Sequence, residues 1–439
     1  MARLTFVGGI HPYEGKELTK DKPIKTVLPK GDLVYPVSQH IGAPATPIVA
    51  VGDHVLTGQK IAEASGFVSA PVYATVSGTV KTIEPRRLAT GGMSNSIIVE
   101  NDEKYEEVEW PQVKPLEEMT AEEKVAAIRE AGVVGMGGAG FPTAVKMAPK
   151  EPEKIEYVIA NCSECEPYLT SDYRRMIEEP ELVLSGLRVA VSIFPNARGI
   201  LAVEDNKPDA IAKFRELTKD DQNISVKILQ TKYPQGAERM LIYACTGRKI
   251  NSSMLPADAG CIVDNVDTLC AISRAVLEGK PLMERIVTIT GDAVVDPCNY
   301  KVRIGTNYRE LIDDAGGFVS TPAKIISGGP MMGFAVFDLD VPTTKTASAL
   351  TCLSEDAVSE MAPGACINCG KCIEVCPGQI VPKTLADAVE HGDEATFMKE
   401  YGMECCECGC CSYICPARRQ LTQLIKGMRK IQLANKKKK

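Results

Sequence analysis

The sequence predicts a multidomain protein of mixed α/β and α+β architecture: a small all-β module leads, an α/β domain follows, and a helical, cysteine-rich segment closes the chain. Three observations support this. The 439 residues exceed what a single hydrophobic core organises, so about three or four domains are expected. Apolar strand-like runs alternate with helical patterns through the middle of the chain, the signature of a largely parallel sheet. Ten of the seventeen cysteines crowd between Cys366 and Cys415.

Taken in order, residues 34–99 hold short alternating apolar stretches punctuated by Gly and Pro, which reads as a β module. Residues 101–120 are acidic and proline-broken, a connector before a helix at 121–130, so a boundary falls near residue 105. Strands at 155–160 and 199–203 alternate with helices at 181–192 and 207–217. Residues 284–318 change character: a strand at 285–290, Gly291-Asp292, a second strand and a helix at 308–315 make a small α+β insert. Past the Pro- and Thr-containing segment 341–346, helices at 383–390 and 421–434 frame the cysteines. The expected domains are 1–104, 105–283, 284–345 and 346–439.

With 57 acidic against 50 basic residues, nothing favours nucleic acid as a partner. No apolar run reaches the roughly 20 residues of a membrane span, and residues 1–10 lack a signal-peptide layout. A cytoplasmic protein is expected, whose dense cysteines ligate metal rather than form disulfides. The basic run 436–439 reads as a solvated tail, with an anionic membrane surface as its alternative use.

Cys366, Cys369, Cys372 and Cys376 followed by Pro377 fit C-x2-C-x2-C-x3-C-P, and Cys405, Cys408, Cys411 and Cys415 followed by Pro416 fit it again. Such runs hold two [4Fe–4S] clusters, three thiolates coming from one loop and the fourth, expected at the start of a helix, from the other run. One cluster then takes Cys366, Cys369, Cys372 and Cys415, and the other Cys405, Cys408, Cys411 and Cys376. Zinc is the competing metal, but two complete runs exceed what a zinc ribbon needs. Cys406 and Cys410 fall outside the pattern and read as packed or free thiols, with an alternative ligand set as the other reading.

The second dense feature is Gly135-Met-Gly-Gly-Ala-Gly-Phe-Pro-Thr143. Gly135, Gly137, Gly138 and Gly140 let the backbone approach a ligand, and turned-out amides there suit phosphate, with Lys146 as counter-charge. The loop fits neither the P-loop nor the dinucleotide fingerprint. With Asn161-Cys-Ser-Glu-Cys-Glu-Pro167 it resembles the FMN- and NADH-binding loop of the flavin subunit of respiratory complex I. The chain resembles still more closely the RnfC subunits of the Rnf-type ion-translocating ferredoxin:NAD oxidoreductases. Gly8-Gly-Ile-His-Pro12, Glu164-Cys-Glu-Pro-Tyr-Leu-Thr170, Tyr233-Pro-Gln-Gly236, Gly328-Gly-Pro-Met-Met-Gly333 and both cysteine runs occur in that order.

The resemblance implies a β barrel-sandwich module, a Rossmann-like FMN/NADH domain, a β-grasp module and a ferredoxin-like domain. It implies FMN on Gly135, Gly137, Gly138, Ala139 and Gly140, with Lys146 near the phosphate and Asn161, Glu164, Asn265 and Thr268 around the ribityl chain and ring. Phe141 would stack on NAD(H), and Glu166 and Glu238 would meet its polar groups. Ser163, Cys165 and Ala237 depart from the complex I pattern, where Asp, Ser and Glu stand; Cys162 reads as a packing residue.

The function so implied is a peripheral subunit at the cytoplasmic face of a membrane complex. It passes electrons, originating from ferredoxin, between the clusters, FMN and NAD(H), while other subunits move Na+ or H+. A soluble NADH-dependent diaphorase subunit and a cluster-only electron adaptor are the alternatives. No general base is required, and His11, His40, His54 and His391 suggest no catalytic triad.

Overall fold

The computed structural model describes residues 3–438, with side chains through residue 435. The basic run 436–439 lies outside the described side chains.

Short alternating strands build two small sheets from the first hundred residues. Leu33–Pro36, Met93–Asn101, Gly78–Arg87 and His54–Val55 form one in that order, and Thr46–Pro47, Lys60–Glu63 and Val72–Tyr73 the other. Leu33, Tyr35, Val55, Ile61, Ile97 and Val99 fill the space between them and are completely buried. The Tyr35 hydroxyl stays paired there, accepting from the Thr75 amide at 2.9 Å.

Helix Ala121–Glu130 opens on a reciprocal cap between Thr120 and Glu123, which satisfies two otherwise orphaned amides. It leads into a sheet of four parallel strands, ordered Ile224–Leu229, Arg198–Glu204, Tyr157–Cys162, Cys261–Asn265. In chain sequence that order is 3-2-1-4, so the topology reverses between Tyr157–Cys162 and Cys261–Asn265. Ligands of open α/β sheets bind at the carboxyl ends of strands flanking such a reversal. Helices Pro180–Val191 and Val266–Glu278 pack against one another through Gly186, where a Cβ would stand only 1.9 Å from the Leu269 carbonyl oxygen.

A six-stranded mixed sheet follows, ordered Ile24–Thr26, Cys298–Arg303, Glu284–Thr290, Ala349–Leu353, Lys324–Ser327, Phe334–Val336. Ala349–Leu353 lies inside it, parallel to Glu284–Thr290 and antiparallel to Lys324–Ser327. The boundary expected at 345/346 therefore cuts through this sheet, and the chain leaves it only after Leu353. An apolar strand without its own turn signals looks, in sequence, like part of whatever follows it. The N-terminal strand Ile24–Thr26 likewise crosses over to pair with Cys298–Arg303.

This sheet is joined to the parallel one by buried charge. Asp267 accepts from Arg175 Nε at 2.8 Å and lies 3.7 Å from Arg285 Nη1, all three side chains being at most 3% exposed. The two guanidiniums hold its carboxyl below the usual range against the cost of burial. Among the described residues the last segment has no sheet; helices Pro382–Glu390, Glu394–Lys399 and Leu421–Lys438 meet around Leu385, Phe397 and Ile425.

Two outcomes are expected from this packing. Gly186→Val should destabilise the fold by about 3 kcal/mol, since neither helix backbone can yield, seen as a lower denaturation midpoint at unchanged slope. Asp267→Asn, which removes the buried charge facing Arg175 and Arg285 while Arg175 keeps Glu179 and Arg285 keeps the Ala347 carbonyl, should cost about 3 kcal/mol in the same measurement.

Candidate functional site

The glycine loop hangs over the point where the parallel sheet reverses. Its base is closed by an antiparallel bridge between Val134 and Pro142 and by the Gly135 amide donating to the Phe141 carbonyl at 2.8 Å. The Met136 amide donates to Thr268 Oγ1 at 2.9 Å, and a Cβ on Gly137 would lie 3.0 Å from the Asn265 Cβ. Gly137, Gly138 and Ala139 form an exposed apex. Among the described residues no backbone carbonyl takes the amides of Gly137 and Gly138, and beside Gly138 a Cβ would meet only open space.

Asn161 and Asn265 are register partners at the carboxyl ends of the two strands flanking the reversal. Asn161 Nδ2 donates to the Gly236 carbonyl at 2.9 Å. Asn265 caps helix Val266–Glu278 through Oδ1 and donates from Nδ2 to Asp172 at 2.6 Å. Lys146 Nζ donates to the Val263 carbonyl at 2.8 Å and to Asp264 at 2.5 Å. Burial raises the Asp264 carboxyl, and Lys146 opposes the rise.

The remaining predicted carboxylates are largely occupied by protein. Glu164 accepts from the amides of Asp172 at 2.8 Å and Tyr173 at 3.3 Å, closing the start of helix Ser171–Glu178, and lies 3.8 Å from Lys16. Burial raises the neighbouring Asp172 carboxyl, and Glu164 and Asp267, which face it, raise it further. Glu166 accepts from the amides of Met331 at 2.6 Å and Met332 at 3.2 Å; burial raises its carboxyl and those amides oppose the rise. Glu238 opens helix Glu238–Thr246 at the surface.

The cysteine runs fold into two copies of one backbone path. Asn368 and Glu407, Gly370 and Gly409, and Gln379 and Arg418 are left-handed at matching positions. The Asn368 amide points to Cys366 Sγ, and the Glu407 amide to Cys405 Sγ, at 3.4 Å in each case. Two cavities result. One is lined by Cys405, Cys408 and Cys411 together with Cys376 from the other run, and by the extra thiols Cys406 and Cys410. The second is lined by Cys366, Cys369, Cys372 and the reciprocal Cys415.

The fourth cysteine does not begin a helix as expected. Cys376 follows helix Lys371–Glu374, and Cys415 is extended at the end of helix Cys410–Ile414. Pro377 and Pro416 explain this, because a residue preceding proline avoids the helical region.

Residues 128–274 match the family model described as the Nuo51 FMN-binding domain, residues 4–104 the RnfC barrel sandwich hybrid domain, and residues 286–335 the SLBB domain. The chain is 44% identical over 386 residues to the C subunit of the Na(+)-translocating ferredoxin:NAD(+) oxidoreductase complex of Acetobacterium woodii, covering 87% of each. It is 45% identical over 384 residues to the proton-translocating counterpart of Clostridium ljungdahlii, covering 87% of this chain and 84% of that one. The chain belongs to the RnfC family of ion-translocating ferredoxin:NAD(+) oxidoreductase subunits. Among solved structures, an NAD+-reducing [NiFe]-hydrogenase in the H2-reduced state aligns over 66% of this chain and 55% of its own, at TM-score 0.47 and 18% identity.

In this RnfC family member the donor chemistry fits the groups the family implies. Four run thiols line each cavity, those of Cys405, Cys408 and Cys411 buried and that of Cys369 exposed, with backbone amides directed at sulfur, a donor set that suits iron–sulfur ligation. At the sheet reversal, two side chains that the sequence reading passed over are left incomplete: both amide atoms of the completely buried Gln235, and Asp264 Oδ2, have no hydrogen-bond partner among the described residues. Buried polar atoms are ordinarily paired, so these two are the polar groups of the region left with hydrogen-bonding capacity. Gln235 lies in the Tyr-Pro-Gln-Gly motif, but nothing in that motif announces that its amide is unpaired. Among the described residues no helix is long and apolar enough to cross a membrane.

The crossed cysteine arrangement makes a sharp expectation. Cys376→Ser and Cys405→Ser should spare the same cluster signal in electron paramagnetic resonance, and Cys415→Ser and Cys372→Ser the other. Each variant should keep about four of about eight irons.

Proposed function

We propose that this chain is the peripheral electron-transfer subunit of a membrane ferredoxin:NAD+ oxidoreductase. It passes electrons between two [4Fe–4S] clusters in a ferredoxin-like segment, FMN and NAD(H), at the cytoplasmic face, with ferredoxin reached through neighbouring subunits. The observation that carries this reading is the direct junction of the first cysteine cavity with the nucleotide domain. Tyr233, three residues before the Gly236 carbonyl that accepts from Asn161, is 2% exposed and donates from its hydroxyl to the Cys408 carbonyl at 2.7 Å.

FMN supplies the exchange between hydride pairs and single electrons that nicotinamide and cubanes cannot make with each other. The chain's residues supply place and shielding. The amides of Gly137, Gly138 and Ala139, between Gly135 and Gly140, take the flavin phosphate, with Lys146 nearby. Asn161, Asn265, Thr268 and Glu164 border the ribityl chain and ring. Phe141 stacks on the nicotinamide nucleotide, and Glu166 and Glu238 meet its polar groups.

The domain limits proposed are 1–104, 105–283, 284 to about 353, and the remainder. Identities of 44% and 45% to a sodium- and a proton-translocating relative leave the two coupling ions equally supported.

Anaerobically purified protein is expected to contain about eight irons and one FMN per chain, and NADH should bleach both flavin and cluster absorbance. Clusters that stay oxidised in NADH with FMN added would leave the cluster-only adaptor as the function.

A further inference from the structure

We infer that residues 8–10 are a positioning strap that sets the spacing between the nucleotide domain and the cavity lined by Cys376, Cys405, Cys408 and Cys411. The inference rests on the proposed electron path and assigns a role to the N-terminal glycine pair, which that path leaves unused.

One edge of the strap is fixed to the nucleotide domain. Ile10 and Tyr233 exchange both backbone hydrogen bonds, each at 2.9 Å. Lys232, 9% exposed, donates from Nζ to the carbonyls of Phe6 at 2.5 Å and Gly8 at 2.9 Å. The other edge is fixed to the cysteine segment, where the Gly9 amide donates to the Val375 carbonyl at 2.9 Å, one residue before Cys376.

No side chain fits between these surfaces. Gly8 and Gly9 both have φ of 83°, a conformation that favours glycine. A Cβ on Gly8 would stand 2.9 Å from the Cys376 carbonyl oxygen, and one on Gly9 would stand 2.7 Å from that of Tyr233. Tyr233 then continues the connection: its backbone holds the strap while its hydroxyl holds the Cys408 carbonyl. Cys376 and Cys408 come from different runs but line the same cavity, so the strap and Tyr233 grip it from both halves.

Electron transfer falls steeply with distance, so a device that admits no Cβ between the two bodies keeps the transfer distance short. Residues 8–10 make no hydrogen bond to the glycine loop or to a cluster-run thiol among the described residues; Ile10 packs in one apolar cluster with Tyr233, Cys408 and Cys410, so the test is made at Gly8 and Gly9.

The test uses the complete protein carrying FMN and both clusters, mixed with NADH in a stopped-flow instrument that follows flavin and cluster bands separately. For Gly8→Ala and Gly9→Ala, flavin bleaching is expected at the wild-type rate and cluster bleaching severalfold slower, at unchanged iron and FMN content. Tyr233→Phe, which keeps the ring and loses one hydrogen bond, should show a smaller change of the same kind, and it carries the test where the glycine variants fail to fold. Gly52→Ala, at a φ of 95° with nothing near it, reports backbone strain alone and should leave the ratio of the two rates unchanged.

Equal slowing of both bands, or no slowing, would overturn the strap. Loss of half the iron in the glycine variants would also overturn it, assigning the segment to cluster assembly. A wild-type protein whose flavin ignores NADH is a separate result, which counts against the proposed function.

Discussion

The close approach of Gly137 to Asn265 is the constraint on which the position of the glycine loop depends. The loop reaches the sheet reversal because no side chain separates its backbone from the strand end, and the Met136 amide is held there by Thr268 Oγ1. From that contact follow the exposed apex and its unpaired amides. The pairing of Asn161 with Asn265 beneath follows from strand register. The loop is thus an attachment to the sheet rather than the strand-to-helix turn of a dinucleotide fold, which explains why its glycine spacing matches no such fingerprint.

The N-terminal and six-stranded units press on the same loop. Lys345, 1% exposed, donates from Nζ to the Pro71 carbonyl at 2.6 Å and the Gly132 carbonyl at 2.8 Å. It thereby joins the barrel to the residues entering the loop. Burial without a carboxylate partner pushes its ammonium down to about 7. The Ile41 amide donates to the Gly140 carbonyl at 3.3 Å, and Thr346 lies against Gly140, where a Cβ would meet its Cγ2 at 2.8 Å. The side of the loop away from the sheet is therefore built by two other units. Glu166, clamped by the amides of Met331 and Met332, ties a further edge of the site to the six-stranded sheet.

The two cysteine cavities differ in surroundings although their backbones repeat. Cys405, Cys408 and Cys411 are at most 9% exposed and pack toward Tyr233 and the nucleotide domain. Around the other cavity Cys369 is exposed and Ile367 is 67% exposed. One face of the cysteine segment is thus committed to the chain's own nucleotide domain, and the other opens outward, where an external redox partner of the proposed path has access. Such asymmetry arises from what each copy is packed against, since the local motif is the same in both.

The sequence by itself determined the parts whose physics is local. Cysteine spacing specified two repeated loops, glycine spacing specified a backbone able to approach a ligand, and alternation of apolar runs specified a parallel α/β domain. Helix Ala121–Glu130 lies where its capping residues indicated. Tertiary structure decided what depends on distant residues. It placed Ala349–Leu353 inside a sheet assembled from segments of the chain far apart in sequence and set the carboxylates of Glu164 and Glu166 against particular backbone amides. It also left Gln235 without a partner and drew residues 8–10 between Tyr233 and Val375. Periodicity and spacing report how a segment satisfies itself, whereas hydrogen bonds and burial between segments exist only once the chain has closed on itself.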